Sequence, residues 1–279
     1  MSEDARSSLA TLRRLVFDPH VPIAQQRRRL AVASALTRST PVTRRADEIA
    51  GVVVERFVPP GALAGRAVLY VHGGGYCVGS PATAAGLVEA LSGEWSAEVV
   101  AVQYRLAPEH PAPAARDDVA RVLDAGEWSV AVGDSAGAGA LAAAIQAGAR
   151  PPAALALLSP WLDLSRDWSR EPGAEDDPVL QAGWLEQCAA AYAGGDRRDP
   201  GVSPLFGEWS AMPPTIVVTG GRDLLAPDAR ALRGIAPAIE VLEVPSAWHG
   251  VALWAGRDAL ADAVVARVAA TVAATLGWR

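Results

Sequence analysis

From residue 52 to residue 244 the chain alternates two kinds of segment. Short, almost continuous apolar runs occupy residues 52–58, 66–71, 98–104, 128–132, 154–158, 215–219 and 239–244. Runs without polar alternation read as strands covered on both faces, the signature of a parallel sheet. Between most of them lie stretches with helical spacing, at 82–91, 114–125, 136–149 and 228–235, and a longer one at 260–276 closes the chain. Strands alternating with helices predict an open, doubly wound α/β sheet.

Two regions depart from that rhythm. Residues 1–48 are arginine-rich with helical spacing. Leu9, Leu12, Leu15 and Val16 can share one face, and Leu30, Ala33 and Leu36 another, so two N-terminal helices separated by Asp18-Pro19-His20 are expected. Residues 161–212 hold prolines, glycines, acids and the tryptophans Trp161, Trp168, Trp184 and Trp209, with no clear strand. They read as an insertion over the top of the sheet. The expected organisation is an N-terminal helical region at 1–48, able to serve as a cap, an interface or a disordered arm, and an α/β domain at 49–279 with the insertion at about 161–212.

Composition narrows the chemistry. The 279 residues are 51% hydrophobic and 20% charged, which suits one sizeable folded core. A net charge of −6 argues against a nucleic-acid partner. All 25 basic residues are arginine, which excludes a Schiff-base lysine, a Walker lysine and a Ser-x-x-Lys dyad. The two cysteines, Cys77 and Cys188, form neither a metal-ligand pattern nor a disulfide framework. The first fourteen residues are charged and lack the apolar centre of a signal peptide, and no run of 18 apolar residues occurs. No membrane span is expected, and the cytoplasm is the expected location.

In open α/β sheets the chemistry gathers at the carboxyl ends of the strands. After the run at 66–71 comes His72-Gly73-Gly74-Gly75-Tyr76. After 128–132 comes Gly133-Asp134-Ser135-Ala136-Gly137, a Gly-x-Ser-x-Gly pattern in a strand–turn–helix setting. Asp223 follows 215–219, and His249 follows 239–244. The order Ser135, Asp223, His249 is that of a hydrolase triad. A serine hydroxyl needs a base near neutrality to take its proton, and a carboxylate orients that base. The amides of Gly73, Gly74 and Ala136 are the expected oxyanion donors. Asp228 is a rival acid. His20 precedes the sheet, and His72 and His110 read as structural. Asp134 reads as a brace of the elbow, and Arg105 and Glu109 as a polar pair that organises their loop.

Four segments together resemble the hormone-sensitive-lipase-like (bacterial family IV) carboxylesterases of the α/β-hydrolase superfamily: residues 72–75 (HGGG), 104–109 (YRLAPE), 133–137 (GDSAG) and 159–163 (SPWLD). The resemblance implies an α/β-hydrolase fold, a mostly parallel sheet with helices on both faces, and a small helical cap built from N-terminal cap helices at 1–48 and a cap insertion at about 161–212 of a catalytic domain at 49–279. It implies hydrolysis of short- to medium-chain esters through Ser135, His249 and Asp223, with a small-molecule ester as the partner and neither cofactor nor metal. The chain departs from the family at Asp223-Leu224-Leu225, where Asp-Pro-Leu is usual, and at Gly250-Val251, where Gly-Phe is usual. The motifs leave open acyl transfer, amide or lactone cleavage, a non-catalytic ligand-binding role, and pairing of two copies as a homodimer.

Overall fold

A computed structural model describes residues 3–35, 42–173 and 175–278. Its centre is one eight-stranded sheet: β1 (Thr43–Ile49), β2 (Val52–Val58), β3 (Ala67–Val71), β4 (Glu98–Val102), β5 (Val130–Asp134), β6 (Ala154–Leu158), β7 (Thr215–Arg222) and β8 (Glu240–Trp248). The spatial order is β1-β2-β4-β3-β5-β6-β7-β8, with β1–β2 and β2–β4 antiparallel and every other pair parallel. The runs without alternation are explained by burial. Val68–Val71, Val130–Asp134 and Ala154–Leu158 are closed off on both faces.

Helices α3 (Ala85–Trp95) and α8 (Ala259–Leu276) pack together, as do α4 (Ala114–Asp124) and α5 (Ala136–Gln146), while α7 (Ala226–Ile235) packs on β7 and β8. Among the described helices α8 alone is long and apolar enough to cross a bilayer. Its Ala261, Val264, Val265, Val268 and Val272 are buried in the core, against α3, β6 and β7.

The N-terminal region holds α1 (Glu3–Leu15) and α2 (Ile23–Ala35), and the segment between β6 and β7 holds α6 (Ala182–Ala193). Leu9 and Val16 are buried, but Leu15 is exposed; Leu36 lies outside the described residues. Gln26 of α2 is fully buried. Its amide donates to Asp18 O, Val21 O and Gln187 Oε1, and its carbonyl accepts from Trp184 Nε1 at 2.9 Å. Gln181 and Gln187 return donors to backbone carbonyls at Arg13, Phe17, Pro19 and Val21. The first two helices are therefore bolted to α6 by satisfied buried amides, which are costly to break singly. Trp161, Trp168, Trp184 and Trp209, between β6 and β7, are all buried.

One boundary needs correction. Residues 43–48, grouped with the N-terminal helices, belong to the sheet as β1. The turn to β2 has positive φ at both central residues, Ala50 (50°) and Gly51 (75°), the geometry of a tight hairpin. Six of the seven residues of β1 are exposed, and ion pairs Arg44–Glu55 and Arg56–Asp47 cross to β2. An edge strand held by backbone bonds and charge pairs carries no hydrophobic period.

Candidate active site

Ser135 sits between the end of β5 and the start of α5, with φ 52° and ψ −119°, a region L-residues rarely occupy. Holding it there costs about 1–3 kcal/mol, which the surrounding packing must over-determine. The neighbouring glycines show how. A side chain on Gly137 would run into Val71 O and His72 O, and one on Gly133 would lie 2.7 Å from Ala138 Cα. Ser135 N donates to Leu158 O, and Trp161 N donates to Ser135 O, fastening the turn to the end of β6 and to the segment just beyond that strand.

The other two groups are delivered by β7 and β8. Their register pairs Arg222 with Trp248, beyond an irregularity at residues 220–222. The next residues along each strand are Asp223 and His249. His249 Nε2 lies 3.1 Å from Ser135 Oγ, and His249 Nδ1 lies 2.9 Å from Asp223 Oδ1. Asp223 Oδ1 also accepts from Leu225 N. All three residues are buried, at 5–8% exposure. Burial opposes a charge on Asp223, but the imidazole's charge and hydrogen bond outweigh it and hold the carboxyl below its ordinary range. Burial likewise opposes a charge on His249, and the negative charges of Asp223, Asp177 and Asp134 raise its pKa nonetheless.

Asp228, the rival acid, is occupied elsewhere. It accepts from the amides of Leu162 (2.8 Å) and Asp163 (2.9 Å) and pairs with Arg166, while burial pushes its carboxyl up to about 7. His72 is buried, stacked on Tyr104, with Nδ1 2.7 Å from Gly73 O. Burial lowers its pKa to about 4, so it stays neutral and frames the glycine loop. His20 and His110 are exposed.

The oxyanion assignment changes at one residue. Gly73 N donates to Asp134 Oδ1 at 2.9 Å, so that amide is already committed. Asp134 also accepts from Tyr70 Oη, and it thereby ties the glycine loop to the elbow. Among the described residues the amides of Gly74, Gly75 and Ala136 donate to no protein group. Gly73 is needed for space: a side chain there would meet Asp134 and lie 3.0 Å from Ser135 Cβ. The loop pairing is also corrected. Arg105 binds Asp118 (2.8 Å), and Glu109 binds Arg27 of α2 (2.7 Å), because both partners approach from outside the loop. Cys77 and Cys188 are buried free thiols.

The profile of the family described as the alpha/beta hydrolase fold matches residues 68–253, two thirds of the sequence. The chain belongs to that family. LipR of Mycobacterium tuberculosis, named as an acetyl-hydrolase, is 35% identical over 92% of this chain and 91% of its own. An esterase/lipase from an uncultured bacterium superposes with a TM-score of 0.89 at 28% identity, covering 99% of this α/β-hydrolase and all of the other chain. A hormone-sensitive lipase from a metagenome library gives 0.88 at 29% identity over 99% of both chains. Within the family, this α/β-hydrolase is a hormone-sensitive-lipase-like carboxylesterase, an enzyme of the carboxylic ester hydrolase class.

Proposed function

We propose that this carboxylesterase hydrolyses short- to medium-chain esters through an acyl-enzyme on Ser135, with His249 as the base and Asp223 as the acid. The contact that carries the reading is the 3.1 Å approach of His249 Nε2 to Ser135 Oγ, with Asp223 behind the ring. Ser135 Oγ attacks the ester carbonyl while Nε2 takes its proton. The carbonyl oxygen gathers negative charge opposite the free amides of Gly74, Gly75 and Ala136, which stabilise it without reorganising. His249 gives the proton to the departing alkoxide, leaving the acyl group on Oγ. A water then attacks, loses its proton to His249, and Oγ regains a proton as the acid leaves.

The cleft sets the substrate size. It measures about 1140 Å³ and runs from Ser135 and His249 out to Leu12, Phe17, Trp184 and Trp254. An apolar cleft suits an uncharged ester. An acetyl group, as LipR's name indicates for that protein, fills only a small part of it, so the rest receives the alcohol portion or a longer acyl chain. In this reading α1, α2 and the insertion together form the cap, since their residues supply much of the outer wall.

A fluorophosphonate tests the chemistry directly. One equivalent is expected to bond to Ser135, located by mass spectrometry of the peptide, with parallel loss of p-nitrophenyl acetate turnover. Labelling elsewhere, or full labelling with activity retained, would sink the mechanism. Product analysis with added alcohol then separates hydrolysis from acyl transfer, and hydrolysis is expected to dominate.

The pH profile supplies a second test. His249 must be neutral to accept the serine proton, and its pKa is raised above the ordinary 6.5 by the surrounding carboxylates. Activity is therefore present above that raised pKa and lost as pH falls through it. The expected profile of kcat/KM declines about tenfold per pH unit on the acid side of a midpoint above 6.5. A midpoint below 6.5 would mean that the charges of Asp223, Asp177 and Asp134 do not reach the ring.

A further inference from the structure

Behind the triad lies a second carboxyl that the reaction above does not use. Asp177 belongs to the insertion and is 1% exposed. Its Oδ1 accepts from Val179 N (2.8 Å) and Leu180 N (3.0 Å). Its Oδ2 accepts from Leu224 N (2.9 Å), the residue after Asp223. One carboxylate oxygen of Asp177, one of Asp223 and a ring nitrogen of His249 all lie within 4.8 Å of one another. At that separation the Asp177 carboxylate and the imidazole act directly on each other's charge.

We propose that Asp177 is a second acid of the triad, a positioning residue that shares with Asp223 the orientation of His249 and the stabilisation of its imidazolium. The proton taken from Ser135 stays on His249 throughout; neither carboxyl receives it. The inference rests on the reading of Asp223 and His249 as acid and base. The charges around the pair agree with it. Burial and the Asp223 charge push the Asp177 carboxyl up to about 6, while the His249 charge pulls it down, so its ionisation follows both partners. Around the His249 ring, just past β8, stand Asp223 just past β7, Asp177 itself and Asp134 at the end of β5, each of which raises its pKa. Ser159 faces Asp223. Arg230 of α7 faces Asp223 and feels its charge, while two other guanidiniums near the loop bind backbone. Arg13 of α1 donates to Asp177 O and Leu180 O, and Arg222 donates to Asp176 O. Arg13 holds the loop from the N-terminal helix, so the cap and the triad acid share one fastening.

The rival role is structural: Asp177 would only clip its loop to the turn at Leu224. Asp177→Asn keeps the shape and an acceptor but removes the charge, and Asp223→Ala removes the first acid and leaves room at Nδ1. The parent, both single variants and the double variant are to be compared on a short p-nitrophenyl ester between pH 5 and 9, with melting temperatures. Loss of the acid in a hydrolase triad costs about 10⁴-fold in kcat. With Asp177 in place, Asp223→Ala is expected to lose only about 10–100-fold. Asp177→Asn is expected to lose less than about fivefold, and the double variant about 10³–10⁴-fold, more than the product of the singles. Asp177→Asn is also expected to move the acid-side midpoint of kcat to lower pH, since one negative charge near the ring is gone, and an unmoved midpoint would count against the role because that charge would then not reach the imidazole. An Asp223→Ala loss of about 10⁴-fold that the second change does not deepen, or strictly multiplicative losses, would overturn the proposal. Should Asp177→Asn not fold, Asp177→Ser removes the same charge and is read the same way. A Ser135→Ala variant that kept its activity would remove the triad reading itself. Multiplicative losses beside an inactive Ser135→Ala would remove only the role of Asp177.

Discussion

Ser135→Ala is expected to lower kcat on p-nitrophenyl butyrate by about 10⁶-fold, the scale seen when a triad nucleophile is deleted. The residual rate would come from the free amides and the cleft. KM is expected to change little, because the hydroxyl adds almost nothing to ground-state binding. His249→Ala is expected to lose a similar factor, and the double variant no more than either single. The two groups act as one unit, since a hydroxyl without its base is as inert as no hydroxyl. Losses that multiplied would mean that Ser135 and His249 serve separate steps, against their 3.1 Å contact. Alanine also relieves nothing at the backbone. The turn at φ 52° is imposed by Gly133, Gly137 and the Leu158 carbonyl, so the variant is expected to fold with a melting temperature near the parent's.

The parts of this molecule that could be read in the sequence are those governed by short-range rules. Strands such as β5 and β6 announce themselves because both faces are covered, and Ser135 because it directly follows one of them. The unread parts depend on partners distant in sequence. β1 is held by its neighbour's backbone and by charge pairs, so its residues show no period. β7 and β8 run on to Arg222 and Trp248, past the apolar runs, because Gly220 and Gly221 let the backbone at Pro245 and Ala247 come close. That extension carries Asp223 and His249 to neighbouring positions. Gly73 looked like an oxyanion donor by motif, and only the approach of Asp134 from 61 positions away shows its amide to be taken. The Gln26 contacts with Trp184 and Gln187 span about 160 residues, beyond any local signal.

The glycine loop gives the second large effect. Gly74 has φ +112°, and a side chain there would run into Val78 O, whose own amide donates to Gly74 O. Gly74→Ala therefore cannot be absorbed by a side-chain shift. The backbone must move, and it carries the Gly74 amide away from the developing oxyanion. Losing one such donor costs about 10²–10³-fold in kcat. The expected result is a loss of that size with KM nearly unchanged, because the amide meets charge that exists only in the transition state. Fluorophosphonate labelling of Ser135 is expected to slow in parallel, since the phosphonyl oxygen uses the same donors. Asp134→Asn is the informative companion. It keeps an acceptor for Gly73 N but loses the carboxylate, so the loop is expected to hold its place and kcat to fall less than tenfold. If Asp134→Asn proved as damaging as Gly74→Ala, the charge of Asp134 would be acting on His249 directly, and its bond to Gly73 would be secondary. If Gly74→Ala raised KM and spared kcat, the loop would be binding substrate and not its transition state.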